Sequence, residues 1–551
     1  MLDKRSFHFL LLGIVCFFTF FIHNTVIYPD IMESRNLITA REIVQYDNWL
    51  VPTMNGELRL EKPPLPTWVA ALLESVSPDN VGLQRTAAGL AATLLIFFLY
   101  LLAEKLTRNR IYALFSALIL CTSFNIILMG RTASWDIYCH SFMVGAIYFF
   151  VCGFQKQERC WKEYIGAGIF MGLSFLGKGP VSFYALLLPF LLAYFILYRP
   201  SFRKMYLPLV VSVLICLLIS LWWPLYLYLY HRDMALYVAA KESTAWLERN
   251  VRPWYYYWKF FLESGIWSLF LVSALAWPYW KKRLKFRKEY LLVVMWTFFV
   301  LILLSLLPEK KTRYLLPILI PAALVVGHVF LYWYEKVCSG RLTGGERLIF
   351  KINTILVAVV SIALPVAVYI LFYAKGYMGV GLFLSVIILF LLVIGVLWYA
   401  AIKTRPFFFL SGVVMLFVVV EVMLMPSVAS LFNNPDMKSI HAVRNIESVN
   451  KLPFYYVDGE ELRIELVYEA GRRILPWNIE NDSVPFIQLP VVLVSEKSVE
   501  ETLPPALLDK LDWKLIGVYD DNRRQKNTKF YSDLFIRYVT VLDVKKEEEE
   551  K

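Results

Sequence analysis

Four groups of charged residues lie beside apolar runs in this chain, and their types suit the two ends of a group transfer. The first is Asp30, Glu33, Arg35 and Arg41. The second is Glu61-Lys62-Pro63-Pro64. The third is Arg131 with Asp136, in a short turn, and the fourth is Pro308-Glu309-Lys310-Lys311-Thr312-Arg313-Tyr314. Fixed cations neutralise a departing phosphate, and a positioned carboxylate deprotonates or orients an acceptor hydroxyl. Taken singly, each group has a plainer reading. Asp30 and Glu33 suit a solvated loop, Lys62 a snorkelling side chain, and Asp136 a helix cap with Arg131 as its ion partner. What distinguishes them is that all four fall on one face of the chain's membrane topology.

That topology comes from composition. Of 551 residues, 58% are hydrophobic and 18% charged, too apolar for an ordinary soluble protein. A spanning helix needs roughly 20 apolar residues, and such runs recur. Spans are expected near 7–27, 81–103, 111–129, 138–154, 164–176, 181–198, 206–228, 260–280, 290–307, 314–334, 352–373, 380–401 and 407–425, thirteen in all. Alternate loops are basic, from Lys4 and Arg5 through Lys105/Arg108/Arg110, Lys156/Arg159/Lys162, Arg199/Arg203/Lys204 and the 281–288 cluster to Lys336/Arg341/Arg347/Lys351 and Lys403/Arg405. The positive-inside rule then places the N terminus in the cytoplasm. The net charge of +12 belongs to topology and anionic lipid, so nucleic acid is not expected as a partner.

Two long segments face outward: a first outer loop, 28–80, and a second, 231–258. In the first, residues 33–46 space Leu37, Ile38, Ile43 and Val44 as a helix lying on the interface, and prolines fix the remaining turns. The second is dense in aromatics and reads as an interfacial belt helix. The three cations at 310–313 break the positive-inside trend on the outer side and call for an anionic partner at headgroup level. With an odd number of spans, residues 427–551 also lie outside. They read as a soluble α/β domain, with strands at 452–458, 484–495, 514–519 and within 530–544, a helix at 499–511, and a frayed tail from Lys545. The expected organisation is thus a transmembrane catalytic domain, 1–426, followed by an extracytoplasmic domain, 427–551.

All seven cysteines (16, 121, 139, 152, 160, 216 and 338) sit in spans or at their edges, so no disulfide framework is expected. Gly177-Lys178-Gly179-Pro180 lacks the rest of a phosphate-cradling P-loop. The chemistry that fits an outward set of acids and cations against a bilayer is glycosyl transfer from a lipid-linked sugar phosphate. In that reaction positive charge develops at the sugar C1 as phosphate departs. A lipid tail would also explain why no nucleotide-binding glycine loop is present.

These residues resemble a known family. Glu33-Ser34-Arg35, Ala40-Arg41-Glu42-Ile43, Asn48-Trp49, Pro52 to Asn55-Gly56 and Glu61-Lys62-Pro63-Pro64 are similar to the first outer loop of bacterial aminoarabinose transferases. Those enzymes belong to the protein O-mannosyltransferase-like superfamily with the GT-C fold. Later landmarks follow in the same order: Gly130-Arg131-Thr132 to Asp136, Leu176-Gly177-Lys178-Gly179-Pro180, Arg252-Pro253-Trp254-Tyr255-Tyr256 and Lys311-Thr312-Arg313-Tyr314-Leu315-Leu316-Pro317. The resemblance covers roughly residues 1–430.

It implies a GT-C membrane protein of about 13 helices that uses a polyprenyl-phosphate sugar donor and inverts the anomeric centre. The acceptor would be lipid A, a surface glycan or protein, in the bacterial inner membrane, with the enzyme acting as a monomer. Lys62, with Lys310, Lys311 or Arg313 and with Arg35 nearby in the loop, would hold the donor phosphate. A first-loop acid and Asp136 would flank the acceptor, and Glu61, Arg131 and Tyr314 would complete the site. The family often has an Asp-Glu pair before the Arg; here Met32 takes the first position, which leaves Glu33 and Asp30 both open as the first-loop acid. Some relatives carry a His-rich motif in the second outer loop that helps ligate a metal. Lys241-Glu242-Ser243 stands there instead, and no metal cofactor is expected. The competing reading, a transporter or flippase of a lipid-linked glycan, would put ionisable or broken helices at mid-membrane, whereas the charges here gather at one face.

Overall fold

The computed structural model describes residues 4–156, 160–201, 205–432, 434, 436–479, 489–526, 528–529 and 531–545. Arg159, Arg203, Lys204, the first part of the strand expected at 484–495, Phe530 and the tail beyond Lys545 lie outside the described residues. Two compact units emerge from the packing. One comprises Met1–Val26, Leu60–Val69 and Val81–Ser427; the other comprises Ile27–Arg59, Ala70–Asn80 and Val428–Lys551. Most of the first outer loop therefore packs with the C-terminal residues, a grouping that the linear division at residue 426 does not contain.

The first unit is a helical membrane body. Among the described residues, eight helices are long and apolar enough to cross a bilayer: Val81–Thr107, Trp135–Lys156, Tyr206–Tyr230, Arg287–Leu306, Thr312–Cys338, Gly344–Tyr373, Val380–Lys403 and Pro406–Leu431. A ninth span forms if Arg110–Cys121 and Phe124–Gly130, bent by 69°, are taken together. Arg5–Phe20 and Phe183–Tyr198 are shorter apolar helices, and Trp161–Lys178 answers to the span expected at 164–176. The span expected at 260–280 is not one helix. A 3₁₀ segment, Trp254–Trp267, is interrupted at Gly265 (φ 63°), and short helices follow at Ser268–Ala274 and Trp277–Trp280. Gly265 occupies the left-handed region that ends a right-handed helix, and Pro278 permits only a fresh first turn.

Helix Trp161–Lys178 packs between Trp135–Lys156 and Tyr206–Tyr230 through small residues, the usual means by which membrane helices approach closely. A Cβ on Gly168 would lie 2.5 Å from the Ser212 carbonyl oxygen. Gly168→Ala is therefore expected to push these helices apart and cost about 1–3 kcal/mol. Thermal unfolding of the detergent-solubilised protein would show it as a lowered midpoint; an unchanged midpoint would mean that the interface has slack.

The second unit is built on a mixed five-stranded sheet. A two-residue hairpin, β1 (Thr53–Met54) and β2 (Glu57–Leu58), comes first in the chain. It turns on Asn55-Gly56, both at positive φ, the pairing that a tight hairpin demands. The sheet strands are β3 (Phe454–Val457), β4 (Ile474–Trp477), β5 (Val491–Ser495), β6 (Leu511–Asp520) and β7 (Ile536–Val544), in spatial order β4-β3-β5-β7-β6. β3 runs parallel to β4 and β5, while β7 is antiparallel to both its neighbours. β5 is buried along its whole length, as a near-continuous apolar run predicts for a central strand. The helix expected at 499–511 is two single turns, Val499–Thr502 and Pro505–Leu508, because Pro504 and Pro505 break it.

Helix Ile31–Tyr46 packs in this unit against helix Ile464–Ala470 and is not a surface helix. Every residue from Ile31 to Ile43 except Ile31, Met32 and Arg35 is buried. Two charged side chains on that helix are paired within the unit. Arg41 donates to Asp79 (3.0 Å) and to the Tyr468 carbonyl (3.2 Å), and Glu42 accepts from Arg473 (2.7 Å).

Candidate active site

The helix Trp135–Lys156 begins with Asp136 in its first turn, and the helix Trp161–Lys178 ends on Lys178. The short link between them makes the two helices antiparallel neighbours, so a carboxylate at one N terminus meets an ammonium at the other's C terminus. Both charges are placed where the helix dipoles favour them. Lys178 donates to Asp136, with side chains 8% and 4% exposed. Its Nζ also stands 5.0 Å from the centre of the Tyr314 ring. The chain can end the second helix there because Gly179 follows in the left-handed region (φ 71°).

Two cavities adjoin this pair. The smaller, about 350 Å³, is lined by Asp136, His140, Tyr184, Trp246, Glu309 and Tyr314 among others. The larger, about 560 Å³, shares Pro180, Val181, Trp246, Glu309 and Tyr314 with it and adds Lys62, Lys178 and Arg249. Trp223, Leu227 and Tyr228 of the helix Tyr206–Tyr230 supply its apolar flank. Together the two adjoining cavities form a groove that combines cations, the acids Glu61, Glu242 and Glu309, and an apolar flank.

Reciprocal ion pairs bind the Glu61-Lys62 turn to the second outer loop. Lys62 meets Glu242 at 3.3 Å and Lys241 meets Glu61 at 3.3 Å. The helix that carries Lys241 and Glu242, Arg232–Glu248, has no buried residue of its own. Glu61 is thus engaged by an ammonium, and among the described residues no group of three metal-ligating side chains comes together.

Farther along, the second outer loop is stitched to the 308–312 turn. Glu309 N–H donates to the Trp246 carbonyl (3.3 Å) and Lys310 N–H to the Asn250 carbonyl (3.2 Å). The Tyr257 hydroxyl donates to the Lys311 carbonyl at 3.2 Å. Glu309 is paired with both Lys311 (2.7 Å) and Arg249 (2.9 Å). Burial alone would raise the Glu309 carboxyl, but the hydrogen bonds from Lys311 and Arg249 prevail and hold it below the usual carboxylate range. Burial moves the Lys311 ammonium down, and Glu309 only partly restores it.

Of the residues singled out from sequence, Lys62, Glu61, Asp136 and Tyr314 line the groove. Lys311 reaches its edge through Glu309. Lys310 is buried and donates to the Leu307 carbonyl. Arg313 lies over the Tyr314 ring at 5.9 Å. Arg131 is committed to packing. It pairs with Glu421 at 2.9 Å and donates to the carbonyls of Thr19, Ile22 and His23. Asp30, Glu33 and Arg35 belong to the second unit. There Asp30 caps helix Ile31–Tyr46 by accepting from the Met32 and Glu33 amides, at 2.9 and 2.8 Å, and Glu33 is buried. Sequence reading gave no site role to Lys178, Arg249, Glu309 or His140. A lysine closing an apolar helix just before Gly-Pro was the available signal for Lys178.

Comparison with known proteins finds similarity in sequence and in fold. Residues 61–223 match the family described as dolichyl-phosphate-mannose-protein mannosyltransferase. An undecaprenyl phosphate-α-4-amino-4-deoxy-L-arabinose arabinosyl transferase of Pseudomonas fluorescens (strain Pf0-1) is 28% identical over 354 residues, 61% of this chain and 58% of that protein. The corresponding protein of Pseudomonas aeruginosa (strain UCBPP-PA14) is 27% identical over 326 residues, 55% of each. The chain thus spans less than two thirds of the length of these curated relatives. The crystal structure of ArnT from Cupriavidus metallidurans bound to undecaprenyl phosphate shares the fold, with a TM-score of 0.69 at 16% identity over 98% of both chains. The chain is a multi-pass membrane protein that shares the fold of that structure and is similar in sequence, over part of its length, to the aminoarabinose transferases.

Proposed function

We propose that this protein is a glycosyltransferase that takes a sugar from a polyprenyl-phosphate carrier and passes it, with inversion, to an acceptor outside the bacterial inner membrane. The observation that carries this reading is the groove itself. Lys62, Lys178 and Arg249 line the same cavity as Trp223, Leu227 and Tyr228. An isoprenoid lies along the apolar flank and its phosphate meets the cations, which neutralise the charge that grows on the leaving oxygen. Inversion needs one displacement, with a carboxylate receiving or orienting the acceptor proton. Asp136 is the groove's own candidate; Glu33 and Asp30 remain the first-loop candidates. The names of the relatives favour 4-amino-4-deoxy-L-arabinose as the sugar, with a hexose as the alternative; the acceptor is lipid A, a surface glycan or protein. The alternation of basic loops supports a cytoplasmic N terminus and a periplasmic C-terminal domain.

The test supplies purified protein in nanodiscs with undecaprenyl phosphate-linked sugars and lipid A and follows the acceptor's mass. Lys62→Ala is expected to raise the donor KM about 10- to 100-fold, the worth of one charge-assisted hydrogen bond at ~1.5–3 kcal/mol. An unchanged KM would remove Lys62 from the phosphate site. Lipid scrambling without any sugar transferred would reject the enzyme reading.

A further inference from the structure

One ring nitrogen of His140, Nδ1, has no hydrogen-bond partner among the described residues. The residue sits one helical turn beyond Asp136 on the helix Trp135–Lys156, so the two side chains share a face. Both line the smaller cavity. The residue is 1% exposed, and its Nδ1 is buried with no hydrogen-bond partner among the described residues. A neutral imidazole carries one donor and one acceptor, and buried polar groups are nearly always paired. Whichever ring nitrogen bears the proton, Nδ1 is left with an unmet hydrogen bond beside the cavity that the residue lines.

The cavity wall combines apolar side chains, Val181, Ala185, Leu304, Leu307 and Pro317, with the polar groups of Asp136, Tyr184, Glu309 and Tyr314. A hydrogen-bonding ligand group is the economical complement to the open ring nitrogen. At about 350 Å³ the cavity is near the lower end of ligand sites, which run ~300–1,000 Å³. That is space for one small ring with its substituents and not for an oligosaccharide.

We propose that His140 is a specificity-determining residue that hydrogen-bonds one ring hydroxyl of the donor sugar while that sugar occupies the smaller cavity. The inference rests on the glycosyl-transfer reading and deepens it, for it names the donor class: a carrier bearing a single monosaccharide with a hydroxyl directed at a buried imidazole. His140 makes and breaks no bond in the reaction. Its effect comes from selection. A site built to pair a buried hydroxyl rejects an analogue lacking it far more strongly than an apolar pocket rejects an added methylene.

The experiment compares the wild type, His140→Phe and His140→Gln on donors that each lack one ring hydroxyl, alongside binding of undecaprenyl phosphate without sugar. The wild type is expected to lose at least about 10²-fold in kcat/KM on one of the deoxy donors. His140→Phe should process that donor and the intact one at similar, reduced rates, so that discrimination vanishes. His140→Gln, which keeps a donor and an acceptor, should recover part of it. All three should bind undecaprenyl phosphate equally, which also reports that the variants are folded. His140→Phe or His140→Gln with wild-type kcat/KM and wild-type discrimination would overturn the proposal. Failure of the wild type to bind undecaprenyl phosphate would instead sink the glycosyl-transfer reading on which it rests.

Discussion

Lys178→Met is expected to lower kcat/KM for sugar transfer by about 10²–10⁴-fold, a larger loss than any single change at the groove's rim. The Lys178 ammonium is buried against Asp136, lines the larger cavity and faces the Tyr314 ring. In our reading it does two things: it keeps Asp136 ionised in an apolar setting, and it supplies positive charge where the phosphate leaves. Met preserves the length and apolar stem of the side chain, so the lost term is the charge. Asp136→Asn removes the other half and should cost a similar factor. Breaking a buried pair strands the remaining charge at ~3–5 kcal/mol, and groups that act as a unit are not additive. The double variant Asp136→Asn/Lys178→Met is therefore expected to be no slower than the worse single variant. Initial rates at several donor concentrations decide it. Losses that multiply in the double variant, or a Lys178→Met enzyme near the wild-type rate, would mean that the two residues are not one catalytic pair.

Much of the membrane body was legible because hydropathy is a local property. A run such as 380–401 needs no partner to be recognised, and it is one helix, Val380–Lys403. The run at 260–280 was equally apolar, yet apolarity says where a segment resides and not whether its backbone stays helical; Gly265 and Pro278 decided that. The first outer loop failed in a different way. The spacing in 33–46 correctly marked a helix, but the surface that covers Glu42 and Arg41 comes from residues some 430 positions later, which no local pattern carries. The site shows the same division. Residue type picked out Lys62, Asp136 and Tyr314, which line the groove. It also picked out Lys310 and Arg131, whose side chains turn to the Leu307 carbonyl and to Glu421. The direction a side chain takes, and its partner across 42 positions in the case of Lys178 and Asp136, come only with tertiary structure.

Glu42→Ala is expected to loosen the second unit by about 3 kcal/mol, the lower end of the ~3–5 kcal/mol for a broken buried ion pair. The lower end applies because the Arg473 side chain is 23% exposed and keeps some access to water, while Glu42 is 3% exposed. The carboxylate is a hub. It accepts from Arg473 Nε (3.0 Å) and Nη2 (2.7 Å), from Thr53 Oγ1 (2.6 Å) and from the Asn55 amide (2.6 Å). Asn55 in turn pairs with both backbone groups of Ile474, at the start of β4. Removing Glu42 thus uncouples three things at once: helix Ile31–Tyr46, the β1–β2 hairpin and the edge of the sheet. Hydrogen–deuterium exchange on the full chain in detergent should show the amides of Ile31–Tyr46 and Ile474–Trp477 opening about 10²-fold more often, since ~1.4 kcal/mol is a factor of ten. Arg473→Met should do nearly the same by stranding Glu42. An apolar replacement of both, Glu42→Leu/Arg473→Met, should cost less than the sum of the singles, because it leaves no buried charge behind. Wild-type exchange in Glu42→Ala, or a double variant that costs the full sum, would show that Glu42 is an ordinary loop charge and that other contacts hold the first outer loop to the C-terminal sheet.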